Sequence, residues 1–532
     1  MKAPIKDGVI SSLFPACEIP CCSFYDLAKE QLRLFPDNVV LADSSVSLTG
    51  PQVLARMQRY AAGFQAYGVL AGHRVCVHLK NSVDNFLAMF GCILAGATVI
   101  LAKISLTERE LHYQMSDGDA THVLTDSAFA SKVLNAAKIL QLKGMFVMGE
   151  APGFISASTF CELDEKSYKE VPVEDPRSSV LALTYTSGTT GLPKGVEITH
   201  YNIVGAFYTL RSIFGSRPDD VMLAWNPLTH SSGLHTVTAV LMGCVNVIAS
   251  PSMSFEDFVS TIRSFKVTGL TFFPSRLQII VNEMLRSGTR LPSVTSVAVA
   301  GGVLTETLAQ LTLAAFHNIK SLKNIYGMSE CCGCVCLSPV PGISYADVGV
   351  PGPTVEIKIL DVTTSQNLGP NEVGELCFRS PLASRGYYNK PEATAQFKDE
   401  DDWCHSGDLA YYDDQGRIYF VERVKEMIKC KDNQVVPAEL EGLLLARHDG
   451  IAEVCVVGLP HAEWGQVPAA FVVLKDSHAA PGKVTEQDIK DIIAGSCAEH
   501  KHLRGGVFFV QSLPRTETGK VQRKALVEKA GR

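Results

Sequence analysis

Short apolar runs rich in Val, Ile and Leu recur along the chain, at 75–79, 98–101, 122–124, 221–223, 295–299 and 454–457. Between them apolar positions return every three or four residues, as at 53–67 and 255–265. The short runs predict buried strands, and the 3.6-residue period predicts amphipathic helices. Their alternation predicts α/β layers with largely parallel sheets, since a parallel return needs a crossover. From 347 to 388 the pattern changes. Two turn clusters, Val348-Gly349-Val350-Pro351-Gly352-Pro353 and Leu368-Gly369-Pro370-Asn371, flank short strands at 356–360 and 374–379. This stretch predicts an antiparallel, β-barrel-like subdomain. The longest apolar stretch, 86–102, approaches the length of a membrane span. Gly96 divides it, so it reads as a buried helix at 86–94, a turn at Ala95-Gly96 and a strand at 97–101. No transmembrane segment is expected.

Past the polar turn Asp413-Asp414-Gln415-Gly416 lie a strand at 417–421 and a charge-rich segment at 422–431. The remainder reads strand, helix, strand, helix. A large N-terminal domain at 1–423 and a small α+β C-terminal domain at 424–532 are expected.

The chain has 532 residues, 46% hydrophobic and 19% charged, which suits a multidomain globular protein. A net charge of −7 without any Lys/Arg-rich block argues against a nucleic-acid partner. The first residues lack a basic-then-apolar leader, and Lys529-Ala530-Gly531-Arg532 is not a Ser-Lys-Leu address. An intracellular compartment, cytoplasmic or peroxisomal, is expected, with no obligate protein partner. The 16 cysteines then read as reduced thiols. Cys331, Cys332, Cys334 and Cys336 crowd together without the separated pairs that metal sites use.

Candidate chemistry begins at Tyr185-Thr186-Ser187-Gly188-Thr189-Thr190-Gly191-Leu192-Pro193-Lys194-Gly195, behind the apolar run 180–183. Strand, Gly/Ser/Thr loop and lysine together suit a nucleotide's phosphates. Glycines admit close backbone approach, N–H and hydroxyl groups donate, and the lysine offsets charge. Lys194 is followed by Gly195 and not by Ser or Thr, so this is not a Walker A loop. Four further segments stand out: Tyr326-Gly327-Met328-Ser329-Glu330, Trp403-Cys404-His405-Ser406-Gly407-Asp408, Glu422-Arg423-Val424-Lys425-Glu426-Met427-Ile428-Lys429, and Pro514 to Lys524 with Gly519-Lys520 at its centre.

These segments, in this order, resemble the adenylate-forming (ANL) superfamily of acyl-CoA synthetases, 4-coumarate–CoA ligase-like enzymes and beetle-type luciferases. The resemblance runs from about 24 to 526. It implies an ATP-dependent carboxylic acid–CoA ligase acting through an acyl-adenylate on a fatty or aryl acid, with Mg²⁺ as cofactor and CoA as co-substrate. By that resemblance Thr186, Ser187, Gly188, Thr189, Thr190, Lys194, Tyr326, Gly327, Met328, Ser329, Asp408, Arg423 and Lys520 hold ATP or AMP. Glu330 is the Mg²⁺ ligand, and Asp408 takes the ribose hydroxyls, as a carboxylate accepting two hydrogen bonds can. Lys520 is the adenylation lysine, and the lid turns about Lys425 to bring Lys429, Lys431, Asp432 and Gln434 toward CoA. His230 is expected to gate the site or orient the carboxylate, with Ser232, Gly301, Gly302 and Gly327 lining the acyl pocket. His230, Glu330, Lys429 and Lys520 form the catalytic set.

Two positions depart from the pattern. Asp432 stands where CoA ligases have glycine, which adds bulk and negative charge beside an anionic co-substrate. This motivates the alternative of an acyl-adenylating enzyme whose CoA step is impaired or replaced, by O₂ as in luciferases or by another acceptor. Ala206 stands where luciferases place an arginine against luciferin, which argues against bright light emission.

Overall fold

The computed structural model describes residues 2–15, 18–186, 192–214, 218–338, 342–345, 347–431, 433–475, 484–516 and 521–531, together with Cys17. Two large sheets form the body. One runs Lys194–Thr199, Val180–Thr186, Thr98–Leu101, Arg74–His78, His122–Asp126, Gly144–Met148, Ile155–Ser156, parallel except for the first hairpin. The other has nine strands, with Ser296–Ala300 between Gly269–Phe272 and Ser321–Met328. Helices Gly50–Ala66 and Val83–Leu94 lie in the largest apolar cluster, where Phe24, Tyr60, Phe64, Phe86 and Phe90 are fully buried. The apolar stretch divides as its sequence predicts. Helix Val83–Leu94 ends at Ala95, Gly96 turns the chain at φ 91°, and Thr98–Leu101 enters the sheet. A side chain at Gly96 would be strained at that φ. Among the described residues no helix is long and apolar enough to cross a membrane.

The predicted β subdomain is a six-stranded antiparallel sheet, but it is not a barrel. Its order is Ile5–Lys6, Val9–Ser11, Glu356–Leu360, Gly374–Arg379, Cys404–Tyr412, Ile418–Arg423, and the two edge strands do not pair. Closure needs strands of matched length and shear, and an edge strand of two residues supplies neither. The first two strands come from the N-terminus, outside the segment whose turns announced the subdomain.

A separate smaller sheet carries the C-terminal part of the chain. Gly465–Leu474 is its centre, paired with Ile451–His461, Ile428–Cys430 and Val507–Phe509. Helices Pro437–Arg447 and Glu486–Ala494 cover it around a core containing Leu440, Leu444, Ile489 and Ile493. The architecture is therefore mixed α/β, with a large N-terminal and a small C-terminal domain.

Candidate active site

Register in the antiparallel sheet sets the first pair. Cys404–Tyr412 and Ile418–Arg423 place Asp408 opposite Arg423, and the guanidinium Nε lies 3.0 Å from Asp408 Oδ1. Tyr326, arriving on Ser321–Met328 of the nine-stranded sheet, donates its hydroxyl to Asp408 Oδ2 at 2.6 Å. The carboxylate thus joins two sheets while almost wholly buried. Burial, followed by the Asp408 charge, holds the Tyr326 hydroxyl well above its ordinary pKa, so it stays a donor. Burial opposes the charge on Arg423, yet Asp408 and its other neighbours raise its pKa.

Glu330 lies one short turn beyond that strand, in Ser329–Cys331. Its side chain is buried, and Tyr387 donates to Oε1 at 2.8 Å. Burial raises the Glu330 carboxyl above the usual range, and the Tyr387 bond and the Arg423 charge moderate that rise. Lys194 Nζ faces the Tyr387 ring at 5.1 Å, which ties the strand Lys194–Thr199 to the same place. Thr186, at the end of Val180–Thr186, is the register partner of Lys194. The two ends of the predicted phosphate loop are therefore paired, while Ser187, Gly188, Thr189 and Thr190 lie outside the described residues. A buried carboxylate is a hard oxygen donor and suits Mg²⁺ at Glu330. Gly327 is needed for packing, since a Cβ there would sit 2.2 Å from the Gly333 carbonyl. Met328 and Ser329, half-buried, follow it into the turn.

His230 caps the short helix Ser231–Leu234. Its Nδ1 accepts the Ser232 N–H at 3.2 Å and meets Ser232 Oγ at 2.8 Å. With Nδ1 an acceptor, the proton of the neutral ring sits on Nε2. Burial, then the charge of Lys103, pushes the His230 pKa down to about 3. Phe273 approaches the His230 ring edge-on at 6.3 Å, and a Cβ on Gly301 (φ 77°) would lie 2.7 Å from the Phe273 ring. Phe273 thus brings His230 and Gly301 together, with Gly302 beside Pro274. Cys332 approaches His235 at 3.8 Å, so the cysteine-rich turn borders this region.

The C-terminal candidates divide between Lys425, near the residues above, and Lys429 and Lys431, whose partners lie elsewhere. Lys425 occupies the turn Val424–Glu426 and loses some proton affinity to burial, then to Lys194 and Arg423. Lys429 is exposed, and its backbone N–H donates to Gln466 Oε1 at 2.9 Å. Lys431 adopts φ 52°, with Nζ 3.9 Å from the centre of the Trp464 ring and 3.7 Å from Glu463. These partners of Lys429 and Lys431 all belong to the small domain. Gln434 lies opposite Lys429 in the strand pair. Asp432 and Lys520 lie outside the described residues. Just beyond Lys520, Arg523 reaches Glu441 at 2.8 Å, Glu426 at 2.9 Å and Glu422 at 3.3 Å, bridging small domain and body. Sequence reasoning missed Tyr387, Lys103 and Phe273. Tyr387 had one signal, an aromatic directly after Gly386 in a polar loop.

A buried carboxylate held by Tyr326 and Arg423 stands near a second one, Glu330, whose partner Tyr387 also meets Lys194, all within a mixed α/β fold. The chain belongs to the AMP-binding enzyme family, whose model matches residues 28–388, with the AMP-binding enzyme C-terminal domain at 439–520. It is 31% identical to the luciferin 4-monooxygenase of Photinus pyralis, covering 94% of this chain and 92% of that protein. It is 33% identical to 4-coumarate–CoA ligase 5 of Oryza sativa subsp. japonica, covering 97% and 96%. Its fold matches ATP-bound MatB from Rhodopseudomonas palustris with a TM-score of 0.83 at 22% identity, covering 95% of this chain and 98% of that one.

Proposed function

We propose that the protein is an ATP-dependent carboxylic acid–CoA ligase, converting an acid, ATP and CoA to acyl-CoA, AMP and pyrophosphate. The observation that carries this reading is the Tyr326–Asp408–Arg423 cluster, whose charges act on Glu330, and Tyr387, which links Glu330 to Lys194. First, a carboxylate oxygen attacks the α-phosphorus of ATP, and the bond to pyrophosphate breaks. Asp408 accepts the ribose hydroxyls, with Tyr326 and Arg423 fixing its orientation. Thr186, Ser187, Gly188, Thr189, Thr190, Lys194, Ser329 and Arg423 surround the phosphates, and Lys520 offsets charge developing on the acyl-phosphate. Glu330 would hold Mg²⁺, which when bound would neutralise phosphate charge. His230, neutral with its proton on Nε2, donates to the substrate carboxylate. Ser232, Gly301, Gly302 and Gly327 line the proposed acyl pocket, with Phe273 packed against Gly301.

Second, the thiol of CoA loses its proton and attacks the acyl carbon, and AMP leaves. For this step the chain divides at 423/424, and residues 424–532 turn about Lys425 to bring in Lys429, Lys431 and Gln434. The test is incubation with Mg-ATP and a panel of fatty and aryl acids, with and without CoA, measuring pyrophosphate and acyl-CoA together. Stoichiometric acyl-CoA supports the ligase. Pyrophosphate exchange without acyl-CoA would replace it with an adenylating enzyme that uses another acceptor, and no exchange with any acid would remove both readings.

A further inference from the structure

Outside the adenylation cleft, the antiparallel sheet brings three ligand-type side chains to one place. Strand register puts Cys377 opposite His405, and Glu375, two residues earlier, shares the face of Cys377. Cys377 Sγ lies 3.5 Å from His405 Nδ1, and Glu375 Oε2 lies 3.0 Å from that same nitrogen. All three ligand atoms fall within 4.8 Å of one another.

We propose that Glu375, Cys377 and His405 bind a zinc-class divalent cation, with water as the fourth ligand. Tetrahedral zinc takes sulfur at about 2.3 Å and nitrogen at about 2.0 Å, which separates those atoms by roughly 3.5 Å and nitrogen from oxygen by roughly 3.3 Å. The sulfur and nitrogen already stand at that separation; the carboxylate oxygen must withdraw a few tenths of an ångström from the nitrogen and, lying within 4.8 Å of the sulfur, come to about 3.5 Å from it. The imidazole is oriented for the task. Its Nδ1 points at both Glu375 and Cys377 and shares its proton with Glu375 Oε2, so a bound cation takes that proton's place between them, while Asp399 Oδ2 lies 3.8 Å from Nε2. The thiol lies in a small apolar cluster with Leu360 and Trp403, while His405 and Glu375 side chains keep 30% and 21% of their exposure, which gives an ion and its water an entrance.

Charge favours occupancy. Glu375 and Asp399 face the site, opposed by Lys358, whose ammonium lies over the Trp403 ring at 4.4 Å. A cysteine ligates as its thiolate, so cation binding at Cys377 releases a proton. The mixed sulfur, nitrogen and oxygen set selects zinc-like ions over Mg²⁺, so the ATP-bound metal does not compete. Glu375 Oε1 also accepts the Gly407 N–H at 3.0 Å, one residue before Asp408. Occupancy therefore acts on the backbone that carries the nucleotide carboxylate.

The test is cobalt(II) titration of the full, chelator-treated chain, followed by absorption. One equivalent should give intense tetrahedral bands with thiolate-to-cobalt charge transfer. Cys377→Ser should abolish the charge transfer, and Cys334→Ser should retain it. Glu375→Gln, which keeps an acceptor for Gly407, should weaken cobalt binding at least tenfold. Zinc should raise Tm in the parent chain but not in Cys377→Ser. Absence of a thiolate band, or a band unchanged in folded Cys377→Ser, overturns the site. If Cys377→Ser does not fold, unchanged affinity in Glu375→Gln overturns it.

Discussion

Tyr326 donates to Asp408 across two sheets at 2.6 Å, and this bond leaves the other carboxylate oxygen to Arg423. Tyr326→Phe therefore frees one buried lone pair without removing the ion pair. A lost hydrogen bond to a charged group costs about 1.5–3 kcal/mol, and we expect the lower end because the aromatic packing survives. Asp408→Asn removes the charge that Arg423 faces. Asp408 is only 2% exposed and also accepts from Tyr326, so the stability loss should be about 1.5–3 kcal/mol, moderated by the partial exposure of Arg423. Asp408→Asn should also act on ATP affinity, with KM for ATP rising at least tenfold, read by pyrophosphate exchange beside Tm.

His230 provides a test in pH. Its folded pKa is lowered to about 3, against an ordinary value near 6.5. Between those values the unfolded chain binds a proton that the folded chain refuses. Its stabilising contribution is thus complete above pH 6.5 and is lost as pH falls toward 3. The ring stays neutral throughout the range in which activity is measured. Adenylation by the parent chain and by His230→Gln should follow pH profiles of the same shape from pH 5.5 to 8, with the variant lower by about tenfold to a hundredfold. A shoulder near pH 6.5 present only in the parent would show that His230 titrates in function.

Arg523 bridges Glu441, Glu426 and Glu422. Burial and the neighbouring carboxylates raise Glu422 to about 7 even with this guanidinium beside it. Without Arg523 the three carboxylates repel, and protonation relieves them. The folded state of Arg523→Gln then binds more protons than the unfolded chain, so its stability decreases as pH rises. Arg523→Gln should lower Tm more at pH 8 than at pH 6. Equal losses at both values would mean the arginine contributes packing alone.

The order of strands and helices was legible because burial imposes its period on the sequence. Helix Phe255–Phe265 begins and ends where its apolar spacing does. Gly96 was legible for a related reason, as a turn that only a permissive residue fits easily. The open sheet was not legible, because strands Ile5–Lys6 and Val9–Ser11 are too short to carry a pattern and join residues more than three hundred positions away. In the candidate site, Asp408, Glu330 and Lys194 were legible as local strings. Tyr387 was not, since its bond to Glu330 spans 57 positions and leaves no spacing to read. Lys103 escaped for the same reason, being linked to His230 by space alone.

Asp432 follows Lys431, whose backbone is left-handed at φ 52°. The turn between Ile428–Cys430 and Asn433–Val435 already places a non-glycine residue in a region that costs about 1 kcal/mol. Glycine at 432 would remove a side chain and a negative charge from the segment proposed to meet CoA. Asp432→Gly should leave acid-dependent pyrophosphate exchange within twofold of the parent. If the carboxylate hinders the second half-reaction, acyl-CoA formation at subsaturating CoA should rise by about tenfold, the effect of removing one unfavourable interaction of about 1.4 kcal/mol. The salt dependence separates charge from shape. Electrostatic hindrance shrinks as ionic strength increases, so the variant's advantage should narrow at high salt. An advantage that persists at high salt would assign the effect to the backbone. No advantage under either condition would mean that Asp432 is compatible with thioester formation as it stands.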